Sequence, residues 1–170
     1  DPEGRYIAVV HRPKTGTTIK NGTDGERLIA LSNEVCGLID DWIANRRPDV
    51  DDEFGRRPLV STSKGRAHRS TLRGDCYRYT RPCVSTGECP HDRDPDSCDA
   101  MKYTAAFDCP SSVSPHALRR GGITHHLNSD VPKEVVSDRA NVTAGVLDEH
   151  YDRRSQREKM EQRRGYLNSI

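Results

Sequence analysis

Short runs of apolar, β-forming residues separated by polar turn residues predict β structure at the start of the chain. Residues 6–10 are rich in β-forming side chains, and the runs at 17–20 and 27–31 flank a turn-forming stretch at 21–25. Together these three runs predict a small antiparallel sheet on the N-terminal side.

Apolar residues then recur at helical spacing. Ser32 or Asn33 can cap a helix whose apolar positions are Val35, Leu38, Ile39, Trp42 and Ile43. The sequence Arg46-Arg47-Pro48 ends that helix. A short helix is predicted around residues 70–80. Residues 81–113 are rich in Pro, Asp, Cys and Ser without apolar periodicity, which predicts a loop-rich segment.

Helical patterns dominate the last third of the chain. Ser114 is a predicted N-cap and Pro115 the first residue of a helix that runs to about Leu127. Short helices are expected around Val135 and Val136, around 142–147, and in the charged stretch 155–167. The predicted fold class is therefore α+β and mainly α, with the small antiparallel sheet packed on a helical bundle.

Composition limits the broad class of protein. A chain of 170 residues fits one domain, and 32% hydrophobic against 31% charged residues predicts an economical core under a charged surface. No run approaches the roughly 18 apolar residues that span a bilayer, and no signal peptide is visible, so we expect a cytoplasmic, nucleoid-associated protein without a membrane partner. The opening Asp1-Pro2-Glu3-Gly4 lacks an initiator Met, which indicates a fragment.

Charge is distributed unevenly although the net charge is only +1. Residues 54–81 hold eight Lys or Arg against the single acid Asp75, a run that fits either a solvated face or a phosphate-binding surface. The predicted DNA-contacting side chains are Arg66, Arg69, Arg73, Arg120 and Arg139. Arg outnumbers Lys by 21 to 6, a bias that favours a high-salt or archaeal source.

His116 and Arg119 lie three residues apart in the first turns of the predicted helix after Ser114. Backbone N–H groups and the helix dipole attract an anion there, Arg offers a fixed fork of donors, and His exchanges protons near neutral pH. A phosphate would be bound well at this position. The alternative interpretation is an ordinary capped helix with exposed charges.

Tyr151 follows Arg119 by 32 residues. This arrangement resembles the tyrosine recombinase or phage integrase family, whose second motif is His-x-Leu-Arg followed by short helices and a nucleophilic tyrosine. The sequence His116-Ala117-Leu118-Arg119 matches that motif, and the hairpin with Lys20 and the Glu-Arg-apolar run at 26–31 looks like the family's lysine-bearing hairpin. The resemblance is closest to integrases of archaea and covers nearly all the chain except residues 83–109.

The resemblance implies a recombinase catalytic domain over residues 1–170, with a Cys-rich insertion at about 83–109. It implies that Tyr151 attacks a DNA phosphate and forms a 3′-phosphotyrosyl intermediate, that His116 and Arg119 act at the phosphate, and that Lys20 protonates the leaving 5′ oxygen. The expected partners are duplex DNA and further copies of the chain, in a tetramer on DNA. Strand exchange of this kind needs no cofactor for catalysis.

The residue types suit that chemistry. Attack on a phosphodiester spreads negative charge over the non-bridging oxygens, which Arg119 would stabilise. A tyrosine has a reference pKa of about 10, so Tyr151 needs a positive environment or a base, for which His116 is the candidate.

Two features depart from the family pattern. The family's first arginine, in a Thr-Gly-x-Arg type motif, has no counterpart before Tyr6, so we expect an N-terminally truncated domain that cleaves DNA poorly or not at all. Ungapped counting places Asn141 or Val142 where the family carries a third His or Trp. Arg139 could reach the same phosphate in a different local register.

Cys83, Cys89, Cys98 and Cys109 lie in the loop-rich segment, separated by five, eight and ten residues. Four thiols in a segment with little apolar content suit a structural Zn²⁺, although they lack close Cys-x-x-Cys pairs. Unconnected thiols are the alternative, and disulfides are disfavoured inside cells.

Two further functions remain open. One is a zinc-stabilised, catalytically inactive DNA-binding module derived from an integrase, and the other is a type IB topoisomerase-like enzyme. Trapping of a covalent adduct separates the first from a recombinase, and relaxation of supercoils without site preference would favour the second.

Overall fold

A computed structural model describes residues 4–152 and 154–167 of the chain. Over these residues the chain divides into two compact units, the first made of residues 4–6 and 30–118 and the second of residues 7–29 and 119–167. The predicted class, mainly α with a small antiparallel sheet, is confirmed. That residues 1–170 act as a single domain stays a prediction.

The first unit begins with the predicted capped helix. Helix α1 (Asn33–Asp41) starts after Ser32, whose hydroxyl accepts a hydrogen bond from the backbone N–H of Val35 at 3.3 Å. The helix continues as a π-helical turn over Trp42–Arg46, so it ends where Arg46-Arg47-Pro48 predicts. The Trp42 indole donates to the carbonyl of Leu59 at 2.7 Å.

A two-residue hairpin follows that the sequence pattern did not predict. It consists of β3 (Ser61–Thr62) and β4 (Gly65–Arg66), which pair in antiparallel orientation. The two earlier strands of the chain are β1 (Tyr6–Val9) and β2 (Arg27–Ala30). Two-residue strands carry no alternating pattern, which is why periodicity missed them. Helix α2 (Arg69–Tyr79) then confirms the helix expected around 70–80.

The segment 81–113 is largely irregular, as predicted, but contains short helical turns. Helix α3 (Pro82–Thr86) opens it, and 3₁₀ turns span Asp99–Met101 and Tyr103–Asp108. Its two ends are joined because the Thr80 hydroxyl accepts the N–H of Val113 at 2.8 Å. Inside it, the buried Arg81 donates to the carbonyls of Arg78, at 3.0 Å, and Ala100.

The first strand pairs with β2, whereas the predicted strand at 17–20 is wrong. Gly16, at φ 69°, closes a 3₁₀ turn over Pro13–Thr15, and Thr17 lies in an isolated bridge with Arg12 instead of a strand. Asn21 then adopts φ 69° and starts a second 3₁₀ turn, Gly22–Gly25. Two left-handed residues so close together turn the chain before a strand can extend.

Four helices complete the second unit among its described residues, and the first three of them supply the buried residues of its core. They are α4 (Pro115–Asn128), α5 (Lys133–Ala140), α6 (Ala144–His150) and α7 (Gln156–Leu167). Ile123, Leu127, Val136 and Leu147 are buried together, and Val131, Ala140, Val142 and Tyr151 pack against them. Of the helices in the described ranges, none has the length and apolar character needed to cross a bilayer.

Candidate active site

Helix α4 carries the His-x-x-Arg motif and begins as predicted. The Ser114 hydroxyl accepts the N–H of Ala117 at 3.2 Å, which satisfies one N–H of the first turn. His116 is exposed in that first turn and belongs to the first compact unit. Arg119 is exposed one turn further along the helix and is the first α4 residue of the second unit.

Two arginine side chains of the second unit bind the C-terminal end of α5. Arg119 donates from Nη2 to the carbonyl of Ala140, and Arg27 donates from Nε to the carbonyl of Arg139 at 3.3 Å. The last carbonyls of a helix have no partner within it and carry the negative end of its dipole, so arginines stabilise them. The strand that follows the Lys20 turn and the helix of the His-x-x-Arg motif are thus fastened to the same helix end.

The turn that carries Lys20 packs closely on itself and on Asn141. A Cβ atom at Gly25 would lie 2.3 Å from the carbonyl oxygen of Lys20 and 3.2 Å from Nδ2 of Asn141. Arg27 closes the turn further by donating to the carbonyl of Gly25 at 2.8 Å. The conformation therefore requires glycine at residue 25, and it leaves the Lys20 side chain exposed.

Asn141 itself holds a special backbone position. It ends α5 in the left-handed region, at φ 49°, where Asn is among the residues that tolerate it. Its side chain lies beside Gly25, while Val142 packs on the hydrophobic core. Of the two residues predicted for the family's third His or Trp position, Asn141 is the one whose side chain meets the turn of Lys20. A pocket of about 210 Å³ is lined by turn residues 24–27 and by residues 137–138 and 141–143.

Tyr151 lies directly after α6, where the chain leaves the helix. Its backbone N–H donates to the carbonyl of Leu147 at 3.0 Å, and its φ and ψ of −122° and −37° are no longer helical. The side chain is half-buried against the core of the second unit. Among the described residues, no hydrogen bond or ion pair joins the side chains of Lys20, Arg119 and Tyr151 to one another.

The next residue, Asp152, is the centre of a buried ionic network. Its side chain is 0% exposed, and its carboxylate is contacted by Arg154 (2.8 Å), Lys133 (2.9 Å) and Lys159 (3.5 Å). The hydrogen bonds from the Arg154 guanidinium, which has the largest effect, and from Lys133 hold the pKa of Asp152 far below its usual range despite the opposing effect of burial. The pKa of Lys133 is raised by its hydrogen bonds to Asp148 and then Asp152.

Sequence reasoning gave Asp152 no role, because a charged stretch after a helix is commonly a solvated face. One feature of the sequence does indicate an ion pair at Asp152. Asp152 is the last acid of the stretch after the apolar Val146 and Leu147, and Arg154 stands two residues later, a spacing that allows a local ion pair. The distant partners Lys133 and Lys159 could be found only from the fold.

The predicted DNA-contacting arginines differ in their surroundings. Arg69 and Arg73 are exposed on one face of α2, and neither makes an ion pair with a described carboxylate. Arg66 pairs with the carboxylate of Asp52 at 3.0 Å in the same unit. In the second unit, Arg120 is exposed on α4 and Arg139 is half-buried on α5.

The four predicted zinc ligands are half-buried free thiols in the first unit, and they are Cys83, Cys89, Cys98 and Cys109. Over the described ranges, no group of three or more His, Cys, Asp or Glu side chains is close enough to hold a metal ion. Cys83 instead contacts the Met101 sulfur at 3.9 Å, and His91 bonds Ser111 at 2.9 Å. The zinc site stays a prediction.

Comparison of the chain with models of protein families, with curated proteins and with solved structures gave no match.

Proposed function

We propose that this chain is the catalytic part of a tyrosine site-specific DNA recombinase of archaeal integrase type, with Tyr151 as its nucleophile. One observation carries the proposal. The order Lys20 on a tight turn, His116-Ala117-Leu118-Arg119 on a capped helix, and Tyr151 just after a short helix follows the order of the family's motifs.

The second unit offers geometric support for three of these residues. Arg27 ties the turn of Lys20 to the end of α5, and Arg119 binds the adjacent carbonyl of that same end. Ala140 and Val142, at that end, pack with Tyr151 on one core cluster. Arg119 uses one of its five N–H donors on Ala140, so the others are available to a phosphate.

In the proposed reaction the Tyr151 phenol oxygen attacks a DNA phosphorus, and the bond from phosphorus to the 5′ oxygen breaks. His116 accepts the phenol proton, Arg119 binds the non-bridging oxygens as their charge rises, and Lys20 gives a proton to the leaving 5′ oxygen. The product is a 3′-phosphotyrosyl bond and a free 5′-hydroxyl. A 5′-hydroxyl from another strand reverses the steps, so the bond energy is conserved and no ATP is consumed.

The proposed partners are duplex DNA and three further copies of the chain, assembled as a tetramer on DNA in the cytoplasm and nucleoid. Arg69 and Arg73 are the strongest candidates for phosphate contacts, since both are exposed and lie four residues apart on one helix face. Arg66, Arg120 and Arg139 are further candidates.

The test is covalent trapping on a pool of random-sequence duplexes with single-strand nicks, using the longest natural form of the protein. When a nick lies just to the 3′ side of the attacked phosphate, the strand released with a free 5′-hydroxyl is short and diffuses away. The reverse reaction is then prevented, so the phosphotyrosyl adduct accumulates and survives denaturing electrophoresis. We expect an adduct with the wild type and with Tyr166→Phe, a control at an exposed tyrosine of α7, and none with Tyr151→Phe.

The other outcomes decide between the alternative functions. DNA binding without any adduct would indicate an inactive DNA-binding module. An adduct accompanied by relaxation of supercoiled plasmid without site preference would indicate a topoisomerase-like enzyme. An adduct that persists in Tyr151→Phe would refute the assignment of the nucleophile.

A structural Zn²⁺ in the segment 83–109 is a separate proposal. In its support, all four cysteines of the segment are half-buried and not joined in disulfides, the state in which thiols can bind a structural zinc. We expect about one zinc per chain by elemental analysis and loss of structure in this segment on chelation. Metal-free protein with unchanged folding would refute the proposal.

A further inference from the structure

We propose that Asp152 positions the nucleophile. Its buried carboxylate fixes the backbone of Tyr151, the residue that bears the phenol. The inference rests on the proposed function, since it takes Tyr151 as the attacking group. Asp152 would act through the backbone of its neighbour and would not touch the DNA.

The backbone at Tyr151 needs such an anchor. The N–H groups of Tyr151 and Asp152 both donate to the carbonyl of Leu147, at 3.0 and 2.8 Å, so the helical ladder ends at this carbonyl. Beyond it Asp152, Arg154 and Ser155 belong to no helix or strand, and α7 begins at Gln156. A residue at the end of a helix frays unless side-chain contacts hold it.

The Asp152 carboxylate supplies those contacts on both of its oxygens. Arg154 binds it in a bidentate manner, from Nε to Oδ1 at 2.8 Å and from Nη2 to Oδ2 at 3.0 Å, and Lys133 reaches Oδ2 at 2.9 Å. Bidentate pairing fixes orientation as well as distance. The carboxylate is therefore held between the start of α5 and the segment after Tyr151.

Arg154 extends this anchor to two further helices. Its Nη1 donates to the carbonyl of Leu127 at 2.8 Å, near the end of α4, and to Oε1 of Gln162 on α7 at 2.7 Å. Because α4 also carries Arg119, the network connects the helix of the phosphate-binding arginine with the residue after the nucleophile. A rigid connection of this kind suits a reaction in which phenol and phosphate must stay aligned.

The same contacts exclude Asp152 as the general base. Three cations surround its carboxylate, and its pKa is far below the usual range, so it stays ionised and is a poor proton acceptor near neutral pH. Its contribution is geometric. A displacement of about 1 Å at a reacting atom can slow a reaction about 10²-fold.

The test compares Asp152→Asn with Asp148→Asn in the longest natural form of the protein. Both changes remove a carboxylate from Lys133, but Asp148 has a half-exposed side chain and no contact with Arg154. We measure the single-turnover rate of adduct formation on nicked duplexes and, separately, the affinity for the same DNA. For Asp152→Asn we expect the rate to fall about 10- to 100-fold with affinity unchanged. For Asp148→Asn we expect both to stay within about threefold, because an exposed ion pair contributes little.

Each outcome has one meaning. No adduct from the wild type would overturn the proposed function and this inference together. A wild-type adduct with an unchanged rate in folded Asp152→Asn, or a loss of DNA affinity equal to the loss of rate, would overturn the positioning role alone. Should Asp152→Asn fail to fold, Arg154→Lys keeps the charge and removes the bidentate geometry, and an unchanged rate in that variant would overturn the role equally.

Discussion

Gly25 provides a direct test of how the Lys20 turn is built. Its substitution by alanine adds a Cβ that would lie 2.3 Å from the carbonyl oxygen of Lys20, a distance that real Cβ atoms essentially never show. The two atoms must move about 0.7 Å apart merely to reach 3.0 Å, the lower limit of a tolerated contact. The obstacle is backbone, which cannot rotate away as a side chain would.

The expected cost of Gly25→Ala is that of overpacking, about 1–3 kcal/mol in the free energy of unfolding. For a chain of this size each kcal/mol lowers the melting temperature by about 2–4 °C, so we expect a fall of about 2–12 °C. Because the carbonyl that must move belongs to Lys20, the rate of adduct formation should fall as well.

Gly121→Ala is the matched control. Gly121 lies within α4 of the same unit, and a Cβ there meets nothing within 4 Å. Alanine favours the helix over glycine, so this variant should be more stable by about 0.5–1 kcal/mol. Urea unfolding followed by circular dichroism measures both changes. Equal stability of Gly25→Ala and the wild type would refute the close packing of the turn.

Three further predictions concern the core, the ionic network and the DNA surface. Leu147→Ala should lower the free energy of unfolding by about 2–5 kcal/mol in urea titrations, since Leu147 is 0% exposed; a change below about 1 kcal/mol would argue against this core. Asp152 has a lowered folded-state pKa, so its stabilisation is present above the unfolded value of about 3.9 and is lost as pH falls below it. Below about pH 4 the free energy of unfolding should therefore fall less steeply with falling pH for Asp152→Asn than for the wild type, and identical slopes would contradict the ion network. Arg69→Ala and Arg73→Ala should each reduce the slope of log affinity against log salt by about 0.9 on duplex DNA, and an unchanged slope would remove these residues from the interface.

Local sequence signals predicted the helices well. Ser32 and Ser114 cap α1 and α4 as expected, because a cap depends on the residue itself and on N–H groups within the next turn. The predicted strand at 17–20 is wrong, and the cause is also local. Thr17 and Ile19 favour a strand, but the left-handed φ angles of Gly16 and Asn21 turn the chain at both ends of the run.

The geometry of the candidate site was much harder to predict, since it depends on contacts between distant residues. Nothing local indicates that Arg27 binds the carbonyl of Arg139, or that Gly25 faces Asn141. The burial of Asp152 is a similar case, because a carboxylate is buried only where cations such as Lys133 are brought to it by the fold. The candidate reacting groups could be proposed from the sequence, whereas the residues that contact them could be found only from the fold.

The identity of the amino acid bound to DNA tests most directly whether Tyr151 is the nucleophile. The wild-type adduct can be digested with nuclease and protease, and the modified peptide sequenced by mass spectrometry. We expect a nucleotide joined through its 3′-phosphate to the phenol oxygen of Tyr151. A nucleotide on any other residue, or joined through a 5′-phosphate, would contradict it.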